Sequence, residues 1–368
     1  QITSEIYFQQ EADYDAALVG TYDVLQWLFF NIQLGAIASE ITLCGGESAT
    51  DYIGIQQIDD MTHYPENNVL RQIWQFLYEG VNRANYMEEN KANIDFEGKE
   101  AMYGEVYFLR AYYYFELVKF FGDVPLFTEA RLTAGQAGTL TRTPKDEVYA
   151  QIELDLQNAI ASLPNSQSQV GRVNKYTAYA LLGKVLLYQD KFAEAASALD
   201  NVIGVYSLVS DYGSQFLRFG ENGPESVFEI QYSNQSNWYD WGCAHCSEGN
   251  YAIIMNGPRG WSGPEYAQGW SFNVPTEEFY NSFEEGDSRR DATVLDIEAF
   301  AAATGSSYTE GYDHTGYFNN KYIPRAGESG GQTELNYLTN FRIIRYSDVL
   351  LMAAEAYNRG GIDDGLAQ

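Results

Sequence analysis

The residues best equipped for chemistry crowd between Asn234 and Trp241, where Asn234, Asn237, Trp238, Tyr239, Asp240 and Trp241 share one short run. Indole and phenol rings offer flat apolar faces, while Asn and Asp offer planar donors and acceptors. That mixture suits a ligand with an apolar ring face and many hydroxyls, as a sugar has. A second run, Asn256-Gly257-Pro258-Arg259-Gly260-Trp261, sets Asn256 and Trp261 among turn residues. Asp51 and Tyr52 follow a Gly45-Gly46 loop and complete the candidate ligand contacts.

Catalysis is poorly served. A glycosidase needs two carboxylates across a sugar cleft, one of them with a raised pKa. With 51 Asp and Glu in the chain, neighbours such as Glu277-Glu278 and Glu284-Glu285 arise from composition alone. Glu277 and Glu278 fit the first turn of a helix behind Thr276, where the helix dipole favours them. There is no Gly-x-Ser-x-Gly elbow, no His-Glu-x-x-His and no phosphate loop, and three histidines leave little general-base capacity. The sequence therefore reads as a binding protein and not an enzyme.

Metal and cofactor chemistry is no better placed. Cys243-Ala-His-Cys246 lies in a stretch rich in Gly, Ser and Trp, not at the strand–helix junction of a redox pair. It lacks the histidine after the second cysteine that haem attachment needs, and a zinc site would need ligands beyond the distant His63 and His314. A disulfide joining two of Cys44, Cys243 and Cys246 is expected, as in an oxidising compartment. Asp59-Asp60 and Asp363-Asp364 lack the spacing of a calcium loop. No metal and no cofactor is expected.

The formal net charge of −29 repels phosphate backbones and anionic headgroups, which excludes nucleic acid and polybasic membrane attachment. The apolar patch from Trp27 to Phe30 is far too short to span a bilayer. The chain starts at Gln1 and reads as a mature or trimmed product.

These candidates need a frame, and helical periodicity supplies it. Thr143-Pro144 reads as an N-cap and first helical position, followed by apolar residues at Tyr149, Ile152, Leu156, Ala159, Ile160 and Leu163, with Pro164 as the stop. Tyr179, Leu182, Gly183 and Leu186, then Phe192, Ala195 and Leu199, match the two helices of a tetratricopeptide unit across a turn at Gln189-Asp190-Lys191. Small residues let such helices approach, and large ones fill the grooves between neighbouring pairs. Residues 67–90, 99–121 and 341–359 are further helix candidates, and Trp74 in the first reads as core. Residues 206–340 lose this periodicity and gain Gly, Ser, Asn and Trp, with strand-like runs at Ser226–Gln231 and Tyr251–Met255. The expectation is a mainly α, single-domain chain. Its tetratricopeptide-like scaffold covers about residues 65–205 and 341–368, and its loop-rich ligand face about 1–64 and 206–340.

Blocks in this order resemble the SusD/RagB family. They are Phe108-Leu109-Arg110-Ala111-Tyr112-Tyr113-Tyr114-Phe115 with Phe121-Gly122-Asp123-Val124-Pro125-Leu126, then Arg142-Thr143-Pro144. Gly269-Trp270-Ser271-Phe272-Asn273-Val274-Pro275-Thr276, Phe283 through Thr293, and Arg345 through Ala356 follow. Trp270 lies inside one of these blocks and so reads as structural. The resemblance implies an outer-membrane lipoprotein at the cell surface of Bacteroidetes. Such proteins capture oligosaccharides, or in some members peptides, for a SusC-like TonB-dependent transporter. It also implies a lipid-bearing N-terminal Cys and a C-terminal tail, neither of which this chain contains.

Overall fold

The scaffold starts from helices whose apolar residues recur at intervals of three and four. A computed structural model describes residues 7–28, 30–236, 241–330 and 334–362. Its helices are α1 (Glu11–Asp23), α2 (Phe30–Ile37), α3 (Ile53–Asp59), α4 (Asn68–Glu89), α5 (Lys99–Phe121), α6 (Ala134–Ala137) and α7 (Lys145–Ser162). Then come α8 (Lys175–Leu187), α9 (Phe192–Asp200), α10 (Ala252–Met255), α11 (Glu277–Asn281), α12 (Arg289–Thr293), α13 (Ile297–Thr304) and α14 (Tyr346–Gly360). The strands are β1 (Thr42–Gly45), β2 (Ser226–Ile230), β3 (Arg259–Ser262), β4 (Phe272–Pro275), β5 (Val294–Asp296), β6 (Ser307–Thr309), β7 (Tyr317–Asn319) and β8 (Phe341–Arg345). Helices dominate, as the sequence leads one to expect.

α4 begins where the Asn67 side chain accepts from the amides of Val69 and Leu70, and it buries Val69, Ile73, Leu77, Val81 and Ala84 along one stripe. α5 is buried on nearly every side from Tyr103 to Val118, so it forms the centre of the bundle. α4 packs on α5, α5 on α7, α7 on α8, and α8 on α9. In the α8–α9 pair, a Cβ on Gly183 would lie 2.5 Å from Leu199 Cδ2, so a larger residue would have to displace that side chain. The turn between them places Asp190 at φ 57°, a left-handed position that Asp tolerates. α14 returns to pack on α9 after the long insertion, held by Tyr357 Oη donating to Asp200 Oδ1 at 2.5 Å and by Lys184 to Asp348 at 3.0 Å.

At the centre, Arg110 forks onto Asp155, with Nε–Oδ2 at 2.8 Å and Nη2–Oδ1 at 2.7 Å. Arg110 Nη1 donates to Asn85 Oδ1 and to the Thr128 carbonyl, while Gln151 Nε2 donates to Asp155 Oδ1. The partners of this buried pair thus come from α4, α7 and the connection that follows α5.

Outside the helical scaffold the chain forms short antiparallel pairs: β1 with β4, β2 with β8, β3 with β6 and β5 with β7. Several sequence expectations change here. Tyr251–Met255 is not a strand; Ala252–Met255 is one helical turn with every residue buried, so packing overrides the β-branched propensity of Ile253 and Ile254. Residues 341–345 form β8, and the last helix starts only at Tyr346. The first helical residue after Thr143 is Lys145, not Pro144. Thr143 instead pairs its main chain with Val124, and Asp123 Oδ1 accepts from the Lys145 amide at 2.8 Å. The N-terminal stretch is not all loop, since α1 packs on α4 and α5. No helix among the described residues is long and apolar enough to cross a membrane.

Candidate ligand-binding cavity

The cavity is assembled by contacts distant in sequence. β1 runs antiparallel to β4, pairing Thr42 with Pro275 and Gly45 with Phe272. At its end the chain must pass very close to β4. A Cβ on Gly45 would lie 2.1 Å from the Ser271 carbonyl oxygen, and one on Gly46 2.8 Å from the Phe272 ring. Both glycines also hold positive φ. The Gly46 amide donates to the Ser271 carbonyl at 2.8 Å, which brings the following loop, Asp51 and Tyr52 included, against Phe272.

Around this junction lies a hollow of about 510 Å³, lined by Asp51, Tyr52, Trp241, Tyr251, Arg259, Trp270 and Phe272, with Glu47, Gln72, Ala244 and Met255. Its size falls within the range of about 300–1,000 Å³ usual for small-ligand sites. Trp241 stands 49% exposed. Its ring lies 5.2 Å from that of Trp270 at a tilt of 35°, and 6.1 Å from Tyr251 nearly edge-on. Tyr52 stands edge-on to Phe272 at 6.3 Å. Burial pushes the Tyr52 phenol up to about 12 and raises that of Tyr251, so both stay protonated and can donate at neutral pH.

The charged groups are tied to one another. Arg259 Nη2 donates to Asp51 Oδ2 at 2.9 Å, and the same oxygen accepts from the Glu47 amide at 2.8 Å. Glu47 adds a looser approach to Arg259, at 3.9 Å. The hollow thus presents rings, phenols and a self-neutralising ion pair.

Trp241 opens a short helical segment, Trp241–Cys246, that ends in a Cys243–Cys246 disulfide. His245 packs its ring 4.8 Å from Trp27 and 5.3 Å from Phe76, fastening the segment to the scaffold. Cys44 is a buried free thiol, and burial pushes its pKa far up. Among the described residues, Cys243, His245 and Cys246 are the one His/Cys/Asp/Glu group close enough to hold a metal ion, and its two sulfurs are bonded to each other.

The structure brings Asp51, Tyr52 and Trp241 together from the sequence candidates. It places two others elsewhere. Asn256 is 0% exposed; its amide donates to the carbonyls of Ala252 and Tyr322 and its oxygen accepts from Asn273, so it braces the loop below. Trp261 packs on Tyr266 and Phe300 in a small separate core. Asn237, Trp238, Tyr239 and Asp240 lie outside the described residues. Trp270, read from its motif as structural, lines the hollow, as do Tyr251 and Arg259. Trp270 stands between Gly269 and Ser271, without the Asn and Asp neighbours that marked Trp241.

A helical-repeat scaffold carrying an aromatic hollow on an inserted face defines the class. Residues 40–187 match a family model described as starch-binding and associating with the outer membrane, and residues 296–368 match the SusD family model. SusD-like protein P2 of Formosa agariphila is 30% identical over 97% of this chain and 72% of its own length. A solved laminarin-binding SusD-like protein superimposes with a TM-score of 0.90 at 35% identity, covering 98% of this chain and 82% of its own. Surface glycan-binding protein A from Bacteroides thetaiotaomicron, solved in complex with laminarihexaose, superimposes at 0.87 with 27% identity over 97% of this chain and 80% of its own. The chain belongs to the SusD family.

Proposed function

We propose that this protein is a non-catalytic cell-surface receptor that holds a neutral glucan of the laminarin type in the Tyr52–Trp241–Trp270 hollow. The observation that carries the reading is the paired indoles of Trp241 and Trp270, 5.2 Å apart and accessible from one side, beside protonated phenols. Such rings stack on the apolar faces of pyranoses, and phenols and the Asp51–Arg259 pair meet hydroxyls. Relatives named for laminarin binding and solved with laminarihexaose support the choice of glucan. Trp238 and Tyr239, just upstream of Trp241, remain candidates to extend the platform.

The non-catalytic reading is supported by the described carboxylates of the hollow: Asp51 is tied to Arg259, and Glu47 approaches the same guanidinium instead of facing Asp51 across a cleft. Location at the outer-membrane surface, through an N-terminal lipid, and delivery to a SusC-like TonB-dependent transporter follow the family. Two measurements test the reading. Calorimetry should show laminarihexaose binding, with cello- and maltohexaose weaker; binding of none of them overturns the glucan assignment. Pull-down of tagged protein from its source cells should recover a large outer-membrane β-barrel; repeated recovery of free monomer overturns the transporter partnership.

A further inference from the structure

A second aromatic hollow flanks the same helix. Successive α4 residues turn about 100° around the axis, so Arg71 and Trp74 share one side while Gln72 faces another. Gln72 lines the first hollow; Arg71 and Trp74 line the second, of about 490 Å³, with His63, Tyr64, Phe121 and Arg142. Trp74, expected in the core, is only partly buried. Its ring meets Phe121 edge-on at 5.1 Å and Tyr78 at 4.9 Å with a tilt of 54°. Tyr64, 52% exposed, completes an open aromatic wall.

The two hollows differ in charge. In the first, Arg259 is neutralised by Asp51 and Glu47. In the second, Arg142 sits 5.6 Å from the Trp74 ring centre and, among the described residues, donates to the carbonyls of Phe121 and Asp123 and to no carboxylate. Asp123 turns its carboxylate to the Lys145 amide instead. Arg71 has no side-chain partner among the described residues. In this strongly acidic chain, Arg71, Arg142 and Arg218 are the arginines left without a carboxylate among the described residues, and two of the three line one hollow. Elsewhere the acidic surface repels anions; here two unneutralised guanidinium groups flank an aromatic floor.

We propose that this hollow is a second carbohydrate subsite, selective for a sugar residue bearing a carboxylate or a sulfate ester. The ring lies against Trp74 and Tyr64, and the anionic substituent lies between Arg71 and Arg142. The sugar half of this assignment rests on the reading above; the anion half rests on the two arginines.

Calorimetry with three probes tests it: trigalacturonic acid for the carboxylate, a κ-carrageenan hexasaccharide for the sulfate, and laminarihexaose as the neutral control. Arg71 is exposed and unpartnered, so Arg71→Glu should keep the wild-type melting temperature. At least one anionic probe should bind, lose tenfold or more in affinity in Arg71→Glu, and weaken as salt screens the contact. Laminarihexaose should bind Arg71→Glu like wild type and lose about thirtyfold in affinity on Trp241→Ala, which keeps the anionic probe. Arg71-dependent anionic binding without any laminarihexaose binding would support this subsite and sink the first. The subsite is overturned if neither anionic probe binds at millimolar concentration, or if Arg71→Glu leaves their binding unchanged. Arg71-dependent binding of a polyglutamate peptide, with no response to either saccharide, overturns it as well.

Discussion

Tyr103, Tyr113 and Tyr114 sit in the middle of α5, out of solvent, and their phenols donate to the carbonyls of Met87, Thr21 and Phe127 at 2.7, 2.6 and 2.7 Å. Trp241 stands half in solvent at the mouth of the hollow, where its ring meets Trp270 and Tyr251. Both sets come from the same aromatic-rich composition. On α5 the rings join helices and their hydroxyls satisfy main-chain groups; at the hollow they leave a face open. Aromatic content therefore does not mark a binding surface. What separates the two uses is whether another element covers the ring.

Changes in the scaffold should damage folding, and changes in the hollow should spare it. The largest effect is expected at the buried ion pair. Asp155→Ala leaves the Arg110 guanidinium without its fork partner, and losing one member of such a pair costs about 3–5 kcal/mol. Urea unfolding measures this; a loss below about 1 kcal/mol would mean the bundle centre relaxes far more than its packing suggests. Gly183→Val should follow, at about 1–3 kcal/mol, because its side chain meets Leu199. Wild-type stability there would show that α8 and α9 can move apart freely. Tyr113→Phe removes one buried hydroxyl and orphans the Thr21 carbonyl, for a loss of about 1 kcal/mol. The disulfide needs no stability measurement: thiol titration of unfolded, unreduced protein should detect Cys44 alone. Three reactive thiols would contradict the linkage that closes the Trp241 segment.

Much of the scaffold was readable from the chain, because helix periodicity and the Gly183–Leu199 fit are local or nearly so. The capping of α7 was not, since the carboxylate that serves Lys145 belongs to Asp123, on the far side of a long connection. The strand β8 was absorbed into the helix it precedes because Phe341, Ile343 and Ile344 continue an apolar pattern, and only pairing with β2 separates them. In the site, Asp51, Tyr52 and Trp241 were found as residue types suited to sugar. Their meeting depends on β1 lying against β4, a contact across more than half the chain that no local pattern encodes. Asn256 and Trp261 had the same residue types, but buried carbonyls and a small core use them instead. Trp270 was set aside because its motif offered a structural reason, and the two roles turn out to be compatible.

Laminarihexaose binding by wild type and Trp241→Ala, measured by calorimetry beside thermal unfolding, tests the glucan site most directly. Losing a hot-spot aromatic costs about 2 kcal/mol, which is roughly a thirtyfold rise in Kd. The predicted result is that loss of affinity with an unchanged melting temperature, since Trp241 lies at the surface of the hollow. Equal binding by both proteins would contradict the account and place the glucan elsewhere. A Trp241→Ala protein that fails to fold would make Trp241 a core residue like those of α5.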